Sequence, residues 1–310
     1  MTQPTARQSH IDTALTNLSI GFKNQEYIAD QIFPTLRVAK QTDKFFVFTK
    51  ADWFRDDADV RAPGARAPLV GYTLSSSPYV CVERAAAKRV TDEERDNADA
   101  PLDPYRTATE YATDKLLLNK EIDVFTDVFG ASVWTNSAVP ATLWDVDTSD
   151  PLDDIATGIY TVESSIGRAV NIAVIGLGLW RHVGRHPDIL DAIKGSAGPT
   201  NPARLAMAAF STLIGVEKIL IGRAIKNTAS EGLTASYSMI GGLHMFLGFV
   251  APGPSLATPS AGYIFSWRNR EVNRYREELE HADLVECRES WDSKVTAPDA
   301  GYLFVNAASS

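Results

Sequence analysis

The sequence predicts an α+β fold, with helical and strand-like segments kept largely to separate stretches of chain. Three observations carry that expectation. The pairs Asp103-Pro104 and Asp150-Pro151 each combine an N-cap acceptor with a proline suited to a first helical turn, and each precedes an apolar repeat of helical spacing. Short apolar runs at Asn171–Ile175, Val216–Ile221 and Leu243–Val250 read as buried strands. The chain then returns to strand-like patterns over Asp283–Lys294 and Tyr302–Asn306.

Residues 1–44 read as an N-terminal arm. Ile11, Leu15 and Leu18 have helical spacing, and Tyr27, Ile28, Ile32 and Phe33 follow before Pro34. Such an arm either packs on its own domain or reaches a neighbouring subunit. Phe45-Phe46-Val47-Phe48 is strand-like, and Val70–Val82, with Tyr72, Leu74 and Tyr79, resumes a strand pattern. Between them, from Asp52 to Pro68, Trp53 and Phe54 stand among Arg55, Asp56, Asp57, Asp59, Arg61 and Arg66, followed by Pro63-Gly64. The segment 45–84 therefore reads as a long β-hairpin whose tip carries both charge signs and two large aromatics. A loop of this size works by contact or folds back on its own core. Aromatics and arginine concentrate at protein interfaces, so Trp53, Phe54, Arg55, Asp56, Asp57, Arg61 and Arg66 are the candidate interface residues.

From Asp103, the residues Tyr105, Ala108, Ala112, Leu118, Ile122, Phe125 and Phe129 fall near one helical face, with Gly130 as the stop. About 26 residues would make a rod of about 39 Å, a structural spine within a unit spanning 85–149. After Asp150-Pro151, the residues Leu152, Ile155, Ile159, Val162, Ile166 and Ala169 form the clearest amphipathic stripe in the chain. Trp180–Ile193 is helical with a break at His186-Pro187. Asn201-Pro202 starts another helix through Leu205, Ala209 and Leu213 to Gly215. With the strands at 171–175 and 216–221, this order gives a mixed α/β unit over 150–265. Tyr263–Trp267 is a further strand, a charged stretch Arg268–Glu280 follows, and the closing strands fill 266–310. No internal repeat is present.

Apolar residues at 45% and charged residues at 22% describe a folded globular chain, which excludes a disordered or collagen-like one. The formal charge of −9 argues against a surface that grips nucleic acid throughout. Cys81 and Cys287 are too few for a disulfide scaffold and read as buried thiols. The N-terminal residues lack the apolar core of a signal peptide, and the apolar runs fall short of the roughly 20 residues that span a bilayer. A soluble protein of cytoplasmic origin, without membrane contact, is the expectation.

The motifs that carry chemistry are incomplete. Gly176-Leu177-Gly178 follows a strand, but Arg181 stands where a dinucleotide loop needs its third glycine. Neither a phosphate-cradling Gly-Lys-Ser/Thr loop nor a Gly-x-Ser-x-Gly nucleophile elbow occurs. His182 and His186 have the spacing of two zinc ligands, without the metalloprotease glutamate. The acids Asp145, Asp147, Asp150, Asp153 and Asp154 lack the glycine of a calcium loop and suit helix capping instead. Arg268, Arg270, Arg274 and Arg276, interleaved with Trp267 and Tyr275, form a basic patch. Glu271, Glu277, Glu278 and Glu280 offset it, which favours an ion-paired surface over nucleic-acid stacking. The expectation is no catalytic set, no cofactor and no bound metal.

Several phrases, in this order of elements, carry a family likeness. They are Lys88-Arg89-Val90-Thr91-Asp92-Glu93-Glu94 leading into the Asp103 helix, Ala206–Gly215 running into Val216-Glu217-Lys218-Ile219-Leu220-Ile221-Gly222, and the closing Ala300-Gly301-Tyr302-Leu303-Phe304-Val305-Asn306. From about residue 20 onward the chain resembles the major capsid proteins of tailed bacteriophages, the Hong Kong 97-type fold shared with encapsulin nanocompartments. The resemblance implies an N-arm (1–44), an extended loop over a neighbour (45–84), a peripheral domain with a spine helix (85–149), an axial domain (150–265) and a return to the peripheral domain (266–310). It implies a structural subunit that assembles with itself into pentamers and hexamers of an icosahedral shell around double-stranded DNA, held without sequence-specific binding. Implied partners are a portal and decoration proteins, and since no long helical stretch precedes the arm, assembly would use a separate scaffolding protein or the shell protein alone. Some relatives cross-link lysine to asparagine. Lys50 lies near the hairpin tip, but no pattern here identifies such a bond. The alternatives are an encapsulin-like shell around a cargo enzyme and an α/β enzyme with scattered site residues.

Overall fold

The computed structural model describes residues 10–11, 27–48, 50–58, 60–61, 63–64, 66–67, 69–98, 103–197, 207–253 and 258–309. Leu15, Leu18, Asp59, Pro68, Asn201, Pro202 and Leu205 lie outside these residues. In chain order, β1 (His10–Ile11) precedes α1 (Ala29–Ile32) and β2 (Thr35–Arg37). A projecting hairpin follows, made of β3 (Thr42–Phe48), α2 (Lys50–Trp53) and β4 (Leu74–Val80). Then come β5 (Val82–Thr91), α3 (Asp92–Asp96), α4 (Pro104–Val128) and β6 (Asn136–Ala138). The middle of the chain holds α5 (Pro151–Ile166), β7 (Ile172–Gly176), α6 (Leu177–Val183), α7 (Pro187–Ala197), α8 (Met207–Ile214) and β8 (Lys218–Gly222). β9 (Ile225–Asn227) and β10 (Tyr237–Met239) form a second, small hairpin. The chain closes with β11 (Met245–Gly248), β12 (Gly262–Glu277), β13 (Ala282–Val295) and β14 (Gly301–Phe304).

Helix starts follow from capping chemistry. The Asp103 carboxylate accepts the N–H groups of Tyr105 at 3.0 Å and Arg106 at 3.3 Å, with Pro104 in the first turn. The 25 residues of α4 make a rod of about 37 Å. Asp150 accepts the N–H of Asp153 at 2.9 Å to start α5, and Gly167, at φ 65°, ends it in the left-handed conformation that glycine adopts without strain. Thr91 and Glu94 close a reciprocal capping box on α3.

Two five-stranded sheets organise the chain. One runs β1-β12-β13-β5, with β2 joining β12 in parallel, and α4 packs on β5 and β13. The other runs β6-β14-β11-β7-β8 and is packed by α5, α6 and α8. A continuous apolar core joins them through Phe125, Val128, Trp134, Phe246 and Phe304. Gly176 ends β7 where a Cβ would collide with the carbonyl oxygens of Gly241 and Gly242. Close backbone packing, not phosphate binding, accounts for a glycine there.

Four expectations are corrected. Ile11 is in a strand, paired with Asn273, because the open edge of β12 offers backbone partners that local spacing cannot register. The stretch Arg268–Glu280 is mostly strand: β12 runs on to Glu277 through two register irregularities, its charges paired across the ladder. On α4 the buried stripe runs through Leu116, Lys120, Glu121 and Val124, leaving Leu118 and Ile122 half-buried. Finally, 266–310 does not return as one piece to the first sheet. β14 pairs with β11 and β6 in the second, so the chain's end ties the two sheets together.

The N-terminal segment is held on α4 by buried polar chemistry. Glu121, fully buried, accepts the N–H of Ile28 at 3.1 and 3.0 Å and that of Ala29 at 2.7 Å, capping α1 from a distant helix. Next to it Lys120 pairs with Asp30 at 2.8 Å and Glu289 at 3.2 Å, and Arg270 pairs with Glu289 at 3.1 Å. Burial acts to raise the Asp30 carboxyl, but the Lys120 ammonium outweighs it and holds the group below its usual range.

Candidate subunit interface

Several large apolar side chains stand exposed on the hairpin of β3 and β4. Its root is well packed. Tyr79 stacks on Phe265 at 4.6 Å and Phe45 stacks on the same ring at 5.6 Å, beside buried Cys81. The Cys81 thiol is pushed up to about 11 by burial, which keeps it protonated and unreactive. The β3–β4 ladder runs from Thr42↔Val80 to Phe48↔Leu74, and beyond it the chain opens into the tip.

Beyond the ladder the sequence-derived candidates fall out as follows. Trp53 and Phe54 are 54% and 65% exposed, and Arg55, Asp56, Arg61 and Arg66 are exposed, with Asp57 partly covered. Phe54 lies against the end of α5, where a methyl group on Gly167 would meet its ring at 3.7 Å. Lys50 donates to Ser165 at 3.0 Å and pairs with Asp299 at 3.3 Å, so the base of the tip leans on its own chain. Asp52 accepts the Thr73 N–H at 2.7 Å, closing the two legs of the tip together. Among the described residues Arg55, Arg61 and Arg66 make no salt bridge.

The sequence reading missed part of this surface. Val70 and Tyr72 were expected within a strand, yet β4 starts only at Leu74, and Val60, Leu69, Val70 and Tyr72 are all exposed. The available signal was Pro68 before the run and Gly71 within it, both of which disfavour a continuous strand. A second missed patch lies on the β9–β10 hairpin, where Ile225, Leu233 and Tyr237 are exposed. Exposed apolar patches of this kind mark surfaces that work by contact.

The remaining candidate motifs have structural duties. Buried His186 places Nε2 3.1 Å from the Ser149 hydroxyl and 3.2 Å from the Val146 carbonyl, pinning the preceding loop rather than facing His182 over a metal. Asp154 accepts the Trp144 indole N–H at 2.8 Å, and Asp145 accepts from the backbone and hydroxyl of Ser309. Arg276 grips Asp92 with two donors at 2.7 and 2.6 Å, Arg268 pairs with Glu83, and Arg274 lies over the Tyr105 ring. Among the described residues no three of His, Cys, Asp and Glu converge as metal ligands, and no helix is long and apolar enough to cross a membrane.

No protein-family model matches the sequence. The chain is 26% identical over 308 residues to the major capsid protein of Pseudomonas phage JBD67, an alignment covering 96% of this chain and 97% of that one. Among solved structures, a phage-related protein from Bordetella bronchiseptica superposes with a TM-score of 0.75 at 22% identity, covering 97% of this chain and 98% of the other. The mature capsid of bacteriophage PhiM1 superposes with a TM-score of 0.62 at 10% identity, covering 92% and 88%. With its projecting hairpin, long helix and two linked sheets, the chain thus has the Hong Kong 97-type capsid fold and is similar along nearly its whole length to a phage major capsid protein.

Proposed function

We propose that this protein is the major capsid subunit of a phage head, a structural protein that assembles with copies of itself into a closed shell around packaged DNA. The observation that carries the reading is the hairpin: a rigidly rooted projection whose tip exposes Trp53, Phe54, Leu69, Val70 and Tyr72 on a chain of capsid fold. A monomer gains nothing from holding such side chains in water. In a shell, each tip buries them on the next subunit, and many such contacts close into a lattice. In this reading Trp53 and Phe54 anchor the contact, while Arg55, Asp56, Asp57, Arg61 and Arg66 set its register through charge. The sheet of β12 and β13 with α4 forms the peripheral domain, and the sheet of β7, β8, β11 and β14 forms the axial one. Pentamers and hexamers, a scaffolding protein, a portal and assembly in the host cytoplasm belong to the same proposal.

The test is electron microscopy of the purified full-length protein beside a variant lacking residues 52–68. Closed shells, tubes or capsomer rings from the parent, and folded but unassembled subunits from the deletion, are the expected result. Only small discrete particles from the parent under all conditions, or normal shells from the deletion, would overturn it.

A further inference from the structure

An open pocket of about 470 Å³ lies between α6 and the end of β8, far in sequence from the hairpin. Its lining includes three arginines, Arg181, Arg185 and Arg223, and the half-buried Trp180. Arg181 and Arg185 are four residues apart, at and just past the end of α6, and Arg223 follows β8 by one position. Among the described residues no acidic one lines the pocket. Among the described residues none of the three arginines forms an ion pair, whereas Arg268, Arg270 and Arg276 are all paired. On a chain with nine more acidic than basic residues, three arginines around one cavity form a local concentration of positive charge.

We propose that this pocket is a phosphate site, taking the phosphate group of a nucleotide or of single-stranded nucleic acid. Three cations around one cavity repel each other, and a multiply charged anion relieves that repulsion. The planar guanidinium fork fits phosphate oxygens in pairs, with donors that a lysine does not offer in fixed geometry. Trp180 adds an aromatic surface on which a base can stack. The volume is within the range of pockets that enclose small ligands. An acidic protein segment fits less well, because neutralising three arginines needs three carboxylate side chains within the same space. Phosphate chemistry is common to a small ligand and to a polymer, and the probes separate these sources.

The experiment uses the full-length protein before assembly, so its outcome is independent of whether shells form. Isothermal titration with sodium phosphate, with a ten-nucleotide oligothymidylate and with a ten-residue polyglutamate is compared across three variants. These are Arg181→Ala/Arg185→Ala, Arg223→Glu and, as a charge control on α4, Lys115→Glu. The arginines are exposed, so these variants are expected to fold, with circular dichroism as the check. Oligonucleotide binding should weaken about tenfold or more in each pocket variant and hardly change in the control. The salt dependence of binding should flatten by about 0.7 in logarithmic slope for each arginine removed. Binding of the oligonucleotide alone identifies a polymer ligand, binding of phosphate alone a small phosphorylated one, and both support the site. Binding of neither probe, binding unchanged in the pocket variants, or tighter binding of polyglutamate would overturn it.

Discussion

The clasp on the N-terminal segment makes a quantitative prediction about pH. Burial pushes Glu121 from an ordinary 4.5 up to about 7, against the pull of the Ile28 and Ala29 N–H groups, and the neighbouring Asp30 adds to the rise. The folded-state value lies above the unfolded one. The folded chain therefore holds a proton between about pH 4.5 and 7 that the unfolded chain releases. Stability from this group is fully present below 4.5 and is lost as pH rises through 7. The span corresponds to roughly 3 kcal/mol. Glu121→Gln keeps a carbonyl oxygen for the buried N–H donors but never ionises. In urea denaturation of the unassembled subunit, the parent should gain roughly 3 kcal/mol relative to Glu121→Gln between pH 8 and pH 4.5. Asp30, held low, loses its contribution only below this window. Glu121→Ala strips the acceptor from two buried N–H groups and should cost about 2–6 kcal/mol at every pH, at about 1–3 kcal/mol each. A constant difference between parent and Glu121→Gln from pH 5 to 8 would refute the reasoning.

Lys120→Met removes the cation shared by Asp30 and Glu289 and should cost about 3 kcal/mol, read as a lower urea midpoint. An unchanged midpoint would show that Arg270 alone satisfies Glu289. Trp53→Ala should change subunit stability by less than about 1 kcal/mol, since the side chain is more than half exposed, while reducing the yield of shells in sedimentation. A large loss of subunit stability would instead place Trp53 in its own chain's core. Gly176→Ala forces a methyl group into the Gly241–Gly242 backbone and should cost about 1–3 kcal/mol, seen as a drop in melting temperature.

Several parts of the fold were legible because their signals are local. An aspartate before a proline caps a helix wherever it sits, so the starts of α4 and α5 are written in two residues each. The α5 stripe of Ile155, Val162 and Ile166 is buried as its spacing indicates. The hairpin was legible as two strand patterns around a charged, aromatic tip. Its exact reach was not, because Leu69, Val70 and Tyr72 have strand-like side chains, and whether they pair depends on a partner strand that ends at Phe48. The α4 face was misjudged for a related reason. A helical stripe is read from apolar residues, whereas this one includes Lys120 and Glu121, whose burial makes sense only once Asp30, Glu289 and the Ile28 and Ala29 N–H groups are brought to them.

By itself, then, the sequence determined the α+β class, the main helices, the hairpin and the absence of a recognisable catalytic motif, all from patterns spanning a few residues. The tertiary structure decided which strands pair. It carried β12 through its charged half by setting Arg270 against Glu289 and Arg288 against Glu271, pairs separated by a turn and visible only across the ladder. It also placed β14 in the second sheet and gathered Arg181, Arg185 and Arg223 around one pocket from two elements. Pairing across a sheet and convergence on a cavity depend on residues far apart in the chain, and no local pattern encodes their meeting.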